Sequence, residues 1–127
     1  MESSIGRALL QGIEAQKTGN ILLAEKCYSS ILNREPKHPH ANHNMGLLKV
    51  QLGQVEQALP FFERALEAER TIDQFWFSYV DVLFMMGEAK DARSVLNLAK
   101  KKGVKNETLK KINNKIVNVE KYSSKKN

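Results

Sequence analysis

The sequence lacks the marks of several protein classes. Its 127 residues include one cysteine, Cys27, which excludes an internal disulfide and a cysteine-rich metal site. No apolar run approaches the roughly 18 residues of a membrane-spanning helix, and charged residues interrupt the first twenty positions, where a signal peptide would need an apolar segment. These absences predict a chain of a reducing, cytoplasmic setting with no membrane contact, in which Cys27 is a small core residue.

The net charge of +6 is unevenly distributed along the chain. Residues 1–99 contain 10 lysines and arginines against 12 acidic residues, whereas residues 100–127 contain 10 lysines against 2 glutamates. The basic end has no arginine and one aromatic residue, Tyr122, so bidentate phosphate contacts and base stacking have little support. We therefore predict no nucleic-acid partner and interpret the lysines as a solvated end.

No constellation of residues typical of catalysis is present. There is no phosphate-binding glycine loop, because each glycine falls at a helix end or in a repeated position. His40 and His43 share a helix face at a spacing that metal ligands can use, with His38 nearby. Because no cysteine or carboxylate follows them closely, we interpret all three as helix-entry or groove positions. We predict no enzymatic activity, no cofactor and no metal.

The chain repeats itself every 34 residues. Three copies align on glycine without insertion or deletion, which is typical of a helical repeat array. The aligned columns are Gly19, Gly53 and Gly87; Ala24, Ala58 and Ala92; Tyr28, Phe62 and Leu96; and Ile31, Ala65 and Ala99.

Each copy is expected to form two antiparallel helices. In the second copy, glycine ends the first helix, and the next stretch has apolar residues at helical spacing. A small alanine lets two helices approach closely, and the large residue one turn later fills the adjacent space. Because a single hairpin cannot bury its apolar face, the copies must stack.

This pattern resembles the tetratricopeptide repeat, which is marked by small, aromatic and alanine columns of this kind. The copies are residues 5–38, 39–72 and 73–106, and the third departs from the pattern with Val80 for the small residue and Leu96 for the aromatic. The amino-acid sequence of the repeats also resembles the N-terminal repeat modules of larger bacterial proteins. The resemblance implies an all-α fold, a right-handed solenoid of three helix hairpins with a C-terminal capping helix, forming one domain over residues 1–121.

The stack is expected to end in a solvating helix. Within residues 106–121, apolar residues recur on one face, and lysine and asparagine occupy the other. Such a helix gives the last hairpin a polar outer face, which repeat arrays need for solubility. We expect residues 122–127 to be a disordered basic tail.

The resemblance implies a module that binds a protein or peptide on the concave surface of its first helices. The positions that would face this groove are Leu9, Ile13 and Lys17; His40, His43, Asn44, Leu47 and Gln51; and Gln74, Phe77, Ser78, Asp81, Phe84 and Met85. Asn44 matches the asparagine that family members use to hold a peptide backbone. Phe77, Phe84 and Met85 exceed what the hairpin core needs, so they must be covered either by the C-terminal helix or irregular packing, or by the apolar side chains of a partner. The alternative is a structural or dimerisation segment whose apolar groove is filled by a second copy of the chain.

Overall fold

The structure is a computed structural model that describes residues 3–125. The helices are α1 (Ser4–Lys17), α2 (Ile21–Arg34), α3 (Pro39–Gln51), α4 (Val55–Ala68), α5 (Asp73–Met85), α6 (Ala89–Lys101) and α7 (Asn106–Lys125). Within the described residues there is no strand, so the all-α class predicted from the repeat is confirmed. The chain divides into two compact units, Met1–Ala68 with α1 to α4 and Glu69–Asn127 with α5 to α7. The single domain over residues 1–121 stays a prediction.

Glycine ends four of the helices by the same backbone geometry. Gly19, Gly53, Gly87 and Gly103 have φ between 75° and 82°, a left-handed conformation that a residue without Cβ adopts readily. After α1, for example, the amide of Asn20 donates to the carbonyl of Ala15 at 2.8 Å, and the amide of Gly19 donates to that of Gln16 at 3.3 Å. This pair of bonds satisfies carbonyls that the helix itself leaves open.

In unit 1, the predicted columns form the contact between paired helices. Ala24 and Ala58 are fully buried, as are the aromatic side chains Tyr28 and Phe62. A Cβ atom built on Gly46 would lie 2.6 Å from Cε1 of Phe62, and one on Gly12 would lie 2.6 Å from Cε1 of Tyr28. The glycines of the first helices therefore make room for the aromatic rings of the second helices.

In unit 2, α7 packs on both helices of the third hairpin. Its apolar face is confirmed at Ile112 and Ile116, which are buried. Lys115 pairs with Asp81 of α5 at 3.0 Å, and Arg93 of α6 pairs with Glu120 at 2.6 Å. The helix is thus fixed by an apolar centre with ion pairs on either side.

The end of α7 differs from the expected disordered tail. The helix continues past residue 121 to Lys125, so residues 122–125 are helical; residues 126 and 127 lie outside the described residues. Adding a turn to a helix that is already formed fixes one residue for each new hydrogen bond and needs no new nucleus. The helix over residues 106–121 therefore carries the extra turn.

Candidate partner-binding surface

In unit 1, the predicted groove residues of α1 and α3 differ in exposure. Leu47 is 37% exposed, and Ile13 is half-buried. Leu9 packs against the buried core cluster. The remaining exposed members are Lys17, His40 and Gln51. The face that α1 and α3 offer to solvent is therefore mixed, with aliphatic and polar side chains side by side.

His43 belongs to the core of unit 1 rather than to its surface. Its side chain is only 5% exposed, and its ring centroid lies 5.5 Å from that of Phe62. Burial lowers the pKa of His43 to about 4; the hydrogen bond with the side chain of Asn44 acts in the opposite direction, and nearby His40 lowers it further. His43 is therefore a neutral packing residue, and Asn44, half-buried beside it, is held by it.

Gln51 is the last member of a short series of hydrogen-bonded side chains that begins in the core. The hydroxyl of Tyr28 donates to Oε1 of Gln16 at 2.7 Å, and Nε2 of Gln16 donates to Oε1 of Gln51 at 3.4 Å. Burial, with a smaller contribution from Cys27, raises the pKa of Tyr28 to about 12, so the phenol remains a donor at neutral pH. The exposed amide of Gln51 is thus linked to the buried Tyr28 through the half-buried side chain of Gln16.

In unit 2, α5 presents an aromatic and sulfur-containing face. Phe77 and Phe84 are half-buried, whereas Met85 is 58% exposed. Ser78 is buried and accepts from Nε2 of Gln74 at 3.4 Å. Of the predicted groove residues on this helix, Met85 offers the most apolar surface to a partner.

The carboxylates of α5 are engaged by α7. Asp73 accepts from Nζ of Lys111 and from the hydroxyl of Thr108, both at 2.9 Å. The hydrogen bond from Lys111 holds the pKa of the Asp73 carboxyl below its usual range. Asp81, which was predicted to face a partner, is paired with Lys115 at 3.0 Å.

The role of these α7 side chains was missed by reasoning from the sequence. Thr108, Lys111 and Lys115 stand 34 residues after Gln74, Phe77 and Asp81, the predicted groove positions of α5. Extending the repeat by one more first helix would have found them. The signal was present in the spacing, but it was hidden because no glycine or alanine column continues beyond residue 106.

The three histidines lie in different environments: His38 caps a helix, His40 is exposed and His43 is buried. Nδ1 of His38 accepts from the amide of Ala41 at 3.1 Å and caps the start of α3. The rings of His38 and His40 lie 6.3 Å apart. Among residues 3–125, no three histidine, cysteine or acidic side chains come together in a way that could hold a metal ion.

Comparison with known proteins decides the family. The sequence matches a tetratricopeptide repeat family over residues 49–113, slightly more than half of the chain, and a second tetratricopeptide repeat family over residues 9–68. The chain belongs to the tetratricopeptide repeat family. The predicted all-α solenoid class agrees with this membership. No curated protein matches the sequence.

Solved tetratricopeptide repeat structures share the fold at low sequence identity. The type III secretion translocator chaperone SycD of Yersinia enterocolitica is 18% identical, with a TM-score of 0.75, over 99% of this chain and 89% of that one. The TPR2B domain of yeast Sti1, solved as a complex with pHsp70, is 17% identical, with a TM-score of 0.70, over 90% of this chain and 96% of that one.

A larger enzyme contains a similar segment. The O-GlcNAc transferase of Thermobaculum terrenum is 24% identical, with a TM-score of 0.69, over 80% of this chain. The match covers only 20% of the transferase chain.

In the part of our chain that the structure describes, no helix combines the length and apolar character needed to cross a membrane.

Proposed function

We propose that this tetratricopeptide repeat chain is a non-enzymatic module that binds a peptide or protein segment through the exposed faces of its first helices. Family membership is the observation that carries the proposal, since repeats of this family are protein interaction modules. The TPR2B domain of yeast Sti1, which has the same fold, was solved as a complex with pHsp70. We place the module in a reducing cytoplasm, where the buried, unpaired Cys27 would remain a thiol.

The exposed apolar residues of these helices support the same role. Leu47 and Met85 each leave a large part of an apolar side chain in water. Methionine and half-buried aromatic rings suit a surface that adapts to a partner's side chains. Asn44 can both donate to and accept from a peptide backbone. We expect affinity near the micromolar range, about −8 kcal/mol, because three repeats offer a short contact.

Selection from a library of unstructured peptides, followed by chemical-shift mapping of an enriched peptide, tests this function. The variants are Leu47→Ser and Met85→Ser, and the matched control is Leu22→Ser, which removes an 82% exposed leucine from the second helix α2. We expect the first two to weaken binding by about 1–2 kcal/mol each, through loss of apolar contact, and the control to leave it unchanged. Shift changes confined to second-helix residues such as Lys26, Glu63 and Arg93 would contradict the proposal.

A further inference from the structure

Unit 2 has a pocket at the end of α5 opposite Met85. Its volume is about 340 Å³, and it lies where the segment before α5 meets the segment before α7. Arg70, Lys105 and Lys111 supply positive charge to its wall, and Asp73 and Glu107 supply negative charge. Because Asp73 opens α5 and Met85 closes it, the two ends are about 18 Å apart along the helix. The pocket is therefore distinct from the exposed apolar side chain of this helix.

The two carboxylates of the pocket both lie within ion-pair distance of the same lysine, Lys111. Asp73 accepts from Lys111 at 2.9 Å and from Thr108 at 2.9 Å, while Glu107 lies 3.9 Å from the same lysine. Among the described residues, neither Arg70 nor Lys105 has an ion-pair partner, and both side chains are exposed. The pocket thus contains two carboxylates of its own chain, both beside Lys111, and has two further cations, Arg70 and Lys105, available for a carboxylate from a partner.

The surroundings strengthen the positive potential. Residues 69–127 contain 13 lysines and arginines against 7 acidic residues, so this unit carries all of the net charge of +6. Lys100, Lys101 and Lys102 stand immediately before Gly103, which lines the pocket. A concentration of one charge sign attracts partners of the opposite sign and speeds their encounter.

We propose that this pocket, the α7 entry pocket (Arg70, Lys105 and Lys111), binds an acidic polypeptide segment. A glutamate or aspartate carboxylate would be held between Arg70, which can donate two parallel hydrogen bonds, and Lys105. Further acidic residues of the segment would interact with the run Lys100–Lys102. The proposal concerns a second surface and does not depend on peptide binding by the first-helix faces.

The pocket's chemistry favours a polypeptide over other polyanions. None of its lining residues is aromatic, whereas single-stranded nucleic acids are held largely by stacking on aromatic rings. Asp73 and Glu107 would repel a continuous phosphate backbone, but they can be avoided by a segment with spaced carboxylates. No large apolar side chain lines the pocket to insert into a lipid surface.

Fluorescence anisotropy with a labelled (Glu-Ser)6 peptide at about 50 mM salt, where screening is weak, tests the proposal on the whole chain. The Arg70→Gln/Lys105→Gln variant is compared with Lys90→Gln/Lys121→Gln, which removes the same charge from exposed positions outside the pocket. We expect the pocket variant to raise the Kd at least tenfold and the control variant to change it less than twofold. Both variants should keep the wild-type circular dichroism, since all four side chains are exposed.

Three further probes decide between partners. A (Gln-Ser)6 peptide should not bind, and Lys105→Glu should weaken (Glu-Ser)6 binding further than Lys105→Gln does. Oligothymidylate and vesicles containing phosphatidylserine should bind more weakly than the acidic peptide, with no dependence on Arg70. Equal loss in the two double variants, equal binding of the neutral peptide, or tighter Arg70-dependent binding of either other probe would overturn the proposal.

Discussion

At the scale of single residues, Gly46 carries a packing constraint that its neighbours impose. A Cβ atom there would lie 2.6 Å from Phe62, whose ring is fully buried and cannot move aside freely. We expect Gly46→Ala to lower the free energy of unfolding by about 1–3 kcal/mol through overpacking, despite alanine's higher helix propensity. Urea unfolding followed by far-ultraviolet circular dichroism measures the change.

The third repeat suggests how the substitution at Gly46 can be compensated. There, Val80 stands at the position of Gly12 and Gly46, and Leu96 stands at the position of Tyr28 and Phe62, so the first-helix residue is larger and the second-helix residue is smaller. We therefore expect Phe62→Leu to cost less in the Gly46→Ala background than in the wild type. Strictly additive losses would show that the two positions do not share the same space.

His43 gives unit 1 a defined acid sensitivity. Its pKa in the folded chain is about 4, below the ordinary 6.5 that applies in the unfolded chain, so the unfolded state binds the proton first as pH falls. The contribution to stability is complete above pH 6.5 and is lost as pH falls toward 4. We expect a loss of about 2 kcal/mol between pH 7.5 and pH 5 from this group.

Urea unfolding at the two pH values checks the expectation for His43. The His43→Leu variant removes the titrating group while keeping an apolar side chain against Phe62. Its stability should depend less on pH over this range than that of the wild type. An unchanged dependence would assign the acid sensitivity to groups other than His43.

At the scale of helices, α7 is the element whose apolar face holds unit 2 together. Ile112 is fully buried, and Lys110, two residues earlier, is exposed on the same helix. We expect Ile112→Ala to destabilise unit 2 by about 2–4 kcal/mol and Lys110→Ala to change stability by less than about 0.5 kcal/mol. Hydrogen exchange of the amides of α5 and α6 measures both; equal protection in the two variants would contradict the role given to α7.

Helix positions were largely readable from the sequence because they depend on short-range rules. The 34-residue period and the glycines predicted three hairpins, and Gly19, Gly53 and Gly87 do end helices in the left-handed conformation. The apolar face of the last helix followed from its spacing alone. The end of that helix did not, since whether residues 122–125 stay helical depends on small energies that no pattern records.

The candidate surface was less predictable because burial depends on packing between helices. His43 lay on the predicted groove face, yet its ring packs on Phe62 of another helix, a contact that the sequence of α3 does not reveal. Asp81 was expected to be available to a partner, yet Lys115, 34 residues later, pairs with it. Exposed members such as Met85 remain predictions as partner contacts.

At the scale of the whole molecule, the exposed apolar residues are spread over the helices. Leu10, Leu22, Leu47, Met85 and Tyr122 each belong to a different helix, and Leu52 directly follows the helix of Leu47. Single exposed apolar side chains do not require a second copy of the chain to cover them. We expect light scattering to give a mass near 14.4 kDa at every concentration tested. A mass that doubles with concentration in the wild type but not in Met85→Ser would favour the alternative of self-association through the first-helix face.

The single tryptophan allows one half of the molecule to be followed by its intrinsic fluorescence, without a label. Trp76 is fully buried in unit 2, and its indole nitrogen donates to the backbone carbonyl of Arg70 at 2.9 Å. When the indole is excited selectively, its fluorescence therefore reports on residues 69–125, and unit 1, which has no tryptophan, does not contribute to the signal. Emission should shift to longer wavelength when unit 2 opens to water. Arg70 also lines the α7 entry pocket. Because the indole is hydrogen-bonded to the backbone of Arg70, tryptophan emission also reports on backbone changes at this pocket residue.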